Sequence, residues 1–165
     1  MIAVSDSSPL IALARIGRLN LLRSLFGRVL IPDAVYEEVV VSGAGLPGAN
    51  EVRDAEWIET YSGPDDAVSY LAAEGAGLGE GEAATIRLAK QLSADIAILD
   101  DAKARRVALA AGLTITGSIG ILELGFRRGL VKDLRTAYVD LLKQGIRFDL
   151  GLLRESLARF GQPGL

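Results

Sequence analysis

The sequence predicts an α/β fold, a parallel sheet covered by helices on both faces, and three observations carry that expectation. Short β-branched runs alternate with longer helical patterns. Half of the 165 residues are apolar and 24% are charged, a balance suited to a packed core. Helix punctuation by proline and glycine recurs between the apolar runs.

Taken in order, the first strand is expected over residues 2–5, followed by a helix whose N-cap is Ser8 with Pro9 at the first helical position. A second strand is expected over residues 28–31, and Pro32-Asp33 opens the next helix. Residues 57–61 read as a third strand, residues 95–99 as a fourth and residues 113–115 as a short fifth. The glycine-rich stretches 42–50 and 75–81 read as loops, with a helix beginning near Gly81. Gly112 and Gly145 stand where helix C-caps belong. Residues 132–160 carry two amphipathic helical patterns with no strand between them, a segment suited to capping the fold or meeting a partner.

One domain over residues 1–165 is expected, since a chain of this length buries about two-thirds of the surface it exposes unfolded. No apolar run approaches the roughly 18 residues of a membrane span. The first residues place no basic leader before an apolar stretch and meet Asp6 at once, so a cytoplasmic address is expected.

The chain has neither Cys nor His. That excludes disulfides, thiolate nucleophiles, zinc fingers and every mechanism with an imidazole base. Carboxylates remain, the ligands that hard cations such as Mg²⁺ or Mn²⁺ prefer. The net charge of −3 offers no broad basic footprint for long duplex nucleic acid.

In open parallel sheets ligands bind beyond the carboxyl ends of the strands, where strand order reverses. Asp6 follows the first strand and Asp100-Asp101 follow the fourth, so all three belong on one sheet edge. Each alone has the ordinary alternative of a helix N-cap. At about 100° per residue, Glu82 shares a helix face with Ile86 and Ala89, whereas Glu80 falls with Arg87 and Gln91. A carboxylate on an apolar stripe without Arg or Lys is costly unless a cation pairs it. Its ordinary alternative is to complement the dipole of the helix N-terminus. Glu37 and Glu38 both flank the arc of Val35, Tyr36, Val39 and Val40, and periodicity does not choose between them. Converging acids would repel by roughly 4 kcal/mol per pair at ~4 Å and an effective dielectric of about 20. Bound metal or shared protons relieve that repulsion.

Four segments in this order resemble the PIN-domain nucleases, most closely their short prokaryotic branch of toxin-antitoxin ribonucleases. They are Val4-Ser5-Asp6-Ser7-Ser8-Pro9-Leu10-Ile11, Ile31-Pro32-Asp33-Ala34-Val35-Tyr36-Glu37-Glu38-Val39, Leu78-Gly79-Glu80-Gly81-Glu82-Ala83 and Ala97-Ile98-Leu99-Asp100-Asp101, the last continuing to Arg106. They span residues 4 to about 125, and the tail from Lys132 matches less well. The resemblance implies a three-layer α/β/α sandwich on a mainly parallel, PIN-like central sheet. It also implies Mg²⁺ or Mn²⁺ in an acidic pocket and endoribonuclease activity on RNA. Homodimerisation and inhibition by a small antitoxin protein are implied with them. By the family's pattern the acids are Asp6, Glu38 rather than Glu37, Glu82, and Asp101 ahead of Asp100, with Ser8 in support. Ser118, after the last strand, departs from that pattern in not being a charged ligand.

Lys103, Arg105 and Arg106, or Arg15, Arg18 and Arg23, are candidates for steering RNA through its phosphates. Three alternatives compete. A Mg²⁺-dependent phosphatase or phosphotransferase would use Asp6 as nucleophile, but leaves Glu38 and Glu82 without work. A dinucleotide site at Gly43-Ala44-Gly45-Leu46-Pro47-Gly48 fits the glycine spacing but follows what reads as a helix end. A catalytically inactive PIN-like binding module would have no need of the acids.

Overall fold

A computed structural model of the chain describes residues 1–62 and 77–165. Its sheet has five parallel strands in the order β3-β2-β1-β4-β5: β1 (Ala3–Ser5), β2 (Val29–Pro32), β3 (Ile58–Tyr61), β4 (Ile96–Ile98) and β5 (Ile115–Thr116). The chain builds outward from β1 to β3, then returns to the other side of β1 for β4 and β5. Strand order therefore reverses between β1 and β4, which run in register with Ser5 opposite Ile98.

Alternation along each strand assigns its side chains to two layers. Ala3, Val29, Ile31 and Ile98 enter one core with α1 (Ser7–Arg15), α2 (Asn20–Phe26) and α7 (Ser118–Arg127). Val4, Leu30, Ala97 and Leu99 enter the other, against α5 (Glu80–Gln91) and α6 (Ala102–Ala110). The fold is thus a three-layer α/β/α sandwich, as expected. The tail supplies α8 (Leu134–Lys143) and α9 (Leu150–Arg159), whose Leu134, Tyr138, Leu141, Leu153 and Leu157 are fully buried in the first core.

Several boundaries differ from the expected ones for local reasons. The first helix starts at Ser7 with Asp6 at the N-cap position, so Pro9 is its third residue. A proline costs nothing there, because the first N–H groups of a helix have no partner within it. The fifth strand begins at Ile115 because Leu113 belongs to the end of α6: its N–H reaches Ala108 O at 3.0 Å while Gly112, at φ +83°, bonds Leu109 O. Gly145 and Ile146 close α8 in the same way. Pro32 precedes α3 (Asp33–Tyr36), which runs directly into a π-helical turn over Glu37–Val41. The 42–50 loop is shorter than expected, since α4 (Ala49–Asp54) begins within it. The Gly43–Gly48 run thus follows a helix, without the strand that a dinucleotide fingerprint requires. Of the expected 75–81 loop, residues 75 and 76 lie outside the described residues, and Glu80 and Gly81 are already helical.

Candidate active site

The carboxyl edge of the sheet gathers acids around the β1–β4 switch point. Asp6 sits immediately after β1, its backbone N–H held by Ile98 O at 3.0 Å, and is 3% exposed. Its carboxylate makes no capping hydrogen bond with α1. Burial pushes it up to about 7, the nearby Ser7 N–H opposes the shift, and the charges of Glu82, Glu38 and Asp100 reinforce it. Four acids from four separate stretches of sequence therefore act on one another here.

The π-helical turn carries Glu38 to this edge, where its Oε2 accepts the Ser7 hydroxyl at 2.9 Å. π-Helical turns recur at functional sites because the extra residue re-aims the side chains after it. Gly43 permits the turn: a Cβ there would lie 2.4 Å from Val39 O. Gly81, in the first turn of α5, leaves a second opening. A Cβ on it would lie 2.9 Å from Glu38 Oε2 and 3.2 Å from Asp6 Oδ1, so these two carboxylates border one methyl-sized space.

Glu82 occupies both positions that the sequence left open. Its Oε2 accepts Gly79 N–H at 2.9 Å, closing the first turn of α5, and its side chain lines the basin with Asp6, Ser8, Glu37, Glu38 and Glu80. That basin has a volume of about 410 Å³. Glu80 is exposed on its rim.

The pair after β4 divides its labour. Asp101 is exposed and caps α6, accepting Ala104 N–H at 2.9 Å. Asp100 turns inward, accepting Ser118 N–H at 2.7 Å and Ser118 Oγ at 2.5 Å. Burial raises its pKa, against the Ser118 hydrogen bonds and the Arg105 charge. Arg105 is fixed beside it by a bond to Leu99 O at 2.8 Å. Gly117 makes room for this arrangement, since a Cβ would fall 2.5 Å from Asp100 Oδ1. Asp100, rather than Asp101, is thus among the charges that Asp6 feels.

Two supporting residues were given no role by the sequence reading. Ser7, beside the expected Ser8, is the one that holds Glu38, while Ser8 lies exposed at the basin. Ser118 is uncharged yet supplies both donors to Asp100. The hydroxyl doublet and the serine after β5 were the available signals. Of the candidate cations, Arg105 borders the site, and Lys103 Nζ approaches Gly77. Arg23 belongs elsewhere, in a cavity with Asn20, Glu51 and Trp57 that shares no residue with the acid basin.

The donors are all oxygens, the chemistry that suits a hard divalent cation, and the Gly81 opening leaves space between two of them. Among the described residues, however, no three carboxylates close around a single point. Each has a local donor instead: Ser7 for Glu38, Gly79 for Glu82, Ser118 for Asp100 and Ala104 for Asp101. The residues fit such an ion in kind, and Asp6, Glu38, Glu82 and Asp100 are the ones that could hold it.

A family model described as a PIN domain matches residues 2–162, a span that takes in the C-terminal helices as well as the four acid-bearing segments. No curated protein matches the chain.

Proposed function

The chain belongs to the PIN-domain family, a nuclease-type fold, and we propose that it is a divalent-metal-dependent endoribonuclease that hydrolyses RNA phosphodiester bonds. The observation that carries this reading is Asp6: a buried carboxylate at the sheet's switch point on which, among the described residues, Glu82, Glu38 and Asp100 act and no cationic side chain does. Such a group is expensive to keep unless it serves a cation. Mg²⁺ or Mn²⁺, when bound, supplies the charge that polarises a phosphodiester and acidifies water, work that a histidine-free chain has no imidazole to perform.

The residues divide into holders and positioners. Asp6 and Glu38 face the Gly81 opening, Glu82 borders the same basin, and an acid of the Asp100-Asp101 pair completes the set, Asp100 by its orientation. Ser7 orients Glu38, and Ser118 orients Asp100. Among the described residues no helix is long and apolar enough to cross a membrane. The reading extends, on the motif resemblance, to a homodimeric toxin held by a small antitoxin protein.

Purified protein should cleave RNA with Mn²⁺ or Mg²⁺ and stop with EDTA. Asp6→Asn and Glu82→Gln should each lower cleavage at least about 100-fold, the scale of removing a principal electrostatic contributor, while circular dichroism remains unaltered. Metal-independent cleavage, or full activity in both variants, overturns the assignment. A phosphoenzyme trapped on Asp6 would replace it with a phosphotransferase.

A further inference from the structure

A second, wider basin of about 760 Å³ adjoins the acid basin and shares Ser8 and Glu82 with it. That volume lies in the range of small-molecule sites. Its other walls are mixed in character. Ile119, Ile146, Phe148 and Leu152 are apolar, whereas Arg105 and Arg147 are cationic. Phe148 comes from the α8–α9 connection and is half-buried, packed against the core yet bordering the basin.

Carboxylates line this basin too, but most are committed within the chain. Asp100 and Asp101 hold the donors already given, Asp149 caps α9 through Gly151 and Leu152 N–H groups, and Glu123 is held by Arg159 and Ser156. Arg147 is the contrast: it is exposed, and it makes no hydrogen bond or ion pair with another described residue. An aromatic ring, an aliphatic wall and an uncommitted guanidinium suit a ligand with a flat apolar part and an anionic part.

We propose that this basin is a nucleotide subsite, where a base of the RNA strand packs on Phe148 and Leu152 and Arg147 meets a phosphate beside it. The proposal rests on the ribonuclease reading, since the shared Ser8 and Glu82 make the subsite continuous with the place where the cleaved phosphate would lie. It assigns the C-terminal segment a second task, because the residues that build this wall come from the α8–α9 connection and from α9. Stacking on one ring is tolerant of base identity, so the subsite favours an unpaired nucleotide over any particular sequence.

The test compares wild type, Phe148→Leu, Phe148→Trp and Arg147→Ala on a single-stranded RNA and on the same RNA carrying abasic positions next to the cleaved bond. Phe148→Leu keeps an apolar side chain for the core and should raise KM about ten-fold, with kcat within about two-fold. Phe148→Trp should restore KM, Arg147→Ala should raise it, and the Leu penalty should vanish on the abasic substrate. An unaltered KM in both Phe148→Leu and Arg147→Ala, on an RNA that wild type cleaves, overturns the subsite while leaving the nuclease intact. If wild type cleaves no RNA, the nuclease reading falls by itself. Fluorescence anisotropy of the same labelled RNA in EDTA then decides the subsite: weaker binding by Phe148→Leu supports it, and equal binding overturns it.

Discussion

Asp6 and Glu123 are both carboxylates withdrawn from water, yet their surroundings are opposite. Glu123, on α7, accepts Ser156 Oγ at 2.6 Å and Arg159 Nη2 at 2.5 Å, and Ser156 in turn meets Tyr138 Oη at 2.5 Å. Tyr138 is wholly buried, and burial above all pushes its phenol up to about 12. The network ties three helices together, and every member has a partner. Asp6 is more deeply buried, and what surrounds it is more negative charge. One hidden acid is fully satisfied within the chain and the other is left to repulsion, the contrast on which the proposed binding role of Asp6 rests.

The largest expected effect tests Asp6 through pH. Its folded pKa of about 7 lies above its ordinary 3.8, so between about pH 4 and pH 7 the folded state keeps a proton that the unfolded state has released. Stability should therefore fall as pH rises through that window and level off above it, by up to about 4 kcal/mol. Asp6→Asn lacks the titration. In urea denaturation without metal, it should be more stable than wild type at pH 8, and the difference should vanish below about pH 4. Manganese should raise the Tm of wild type and leave that of Asp6→Asn unchanged. Parallel pH profiles would mean that the Asp6 charge is compensated within the chain, as that of Glu123 is.

A smaller effect is expected in the contrasting region. Ser156→Ala removes the hydroxyl between Tyr138 and Glu123 and leaves a buried phenol short of its partner, which should cost about 1–3 kcal/mol. Urea midpoints should show this loss undiminished from pH 5 to 8, with RNA cleavage by the folded protein unaffected. A loss that followed the Asp6 window would join the two regions into one electrostatic unit.

The smallest effect separates the neighbours after β4. Asp101→Ala removes the cap of α6 and should cost about 1 kcal/mol, which Asp101→Asn should recover because Asn also caps. Cleavage by Asp101→Asn then reads any catalytic share of Asp101 apart from its cap. Asp100→Asn should lose the greater part of cleavage, because Asp100 is the member of the pair that Asp6 feels.

Much of the architecture was legible in local pattern. Short β-branched runs marked the five strands of the described sheet to within two residues, because central strands covered by helices on both faces, such as β1 and β2, bury nearly every side chain and read as continuous apolar stretches. Gly112 and Gly145 announced their helix ends, since a left-handed residue there favours glycine. The beginnings of helices were less legible: Asp6, Ser7 and Ser8 are all good caps, and only the hydrogen bond from Asp6 N–H to Ile98 O shows where the strand stops.

By itself the sequence determined the chemistry open to this protein. A chain without Cys or His but with acids after its strands is committed to carboxylates, and helical periodicity turned Glu82 inward. Only the tertiary structure decided which acids share a field. The motif resemblance had already favoured Glu38 over Glu37, and the structure adds the π-helical turn and the Ser7 hydroxyl that hold Glu38 at the sheet edge; Asp100, not Asp101, is the acid that Ser118 holds there. Those positions are held by partners 31 and 18 residues away along the chain. Periodicity reports which way a side chain leaves its own helix; the donor that holds it comes from another element, and folding alone brings the two together.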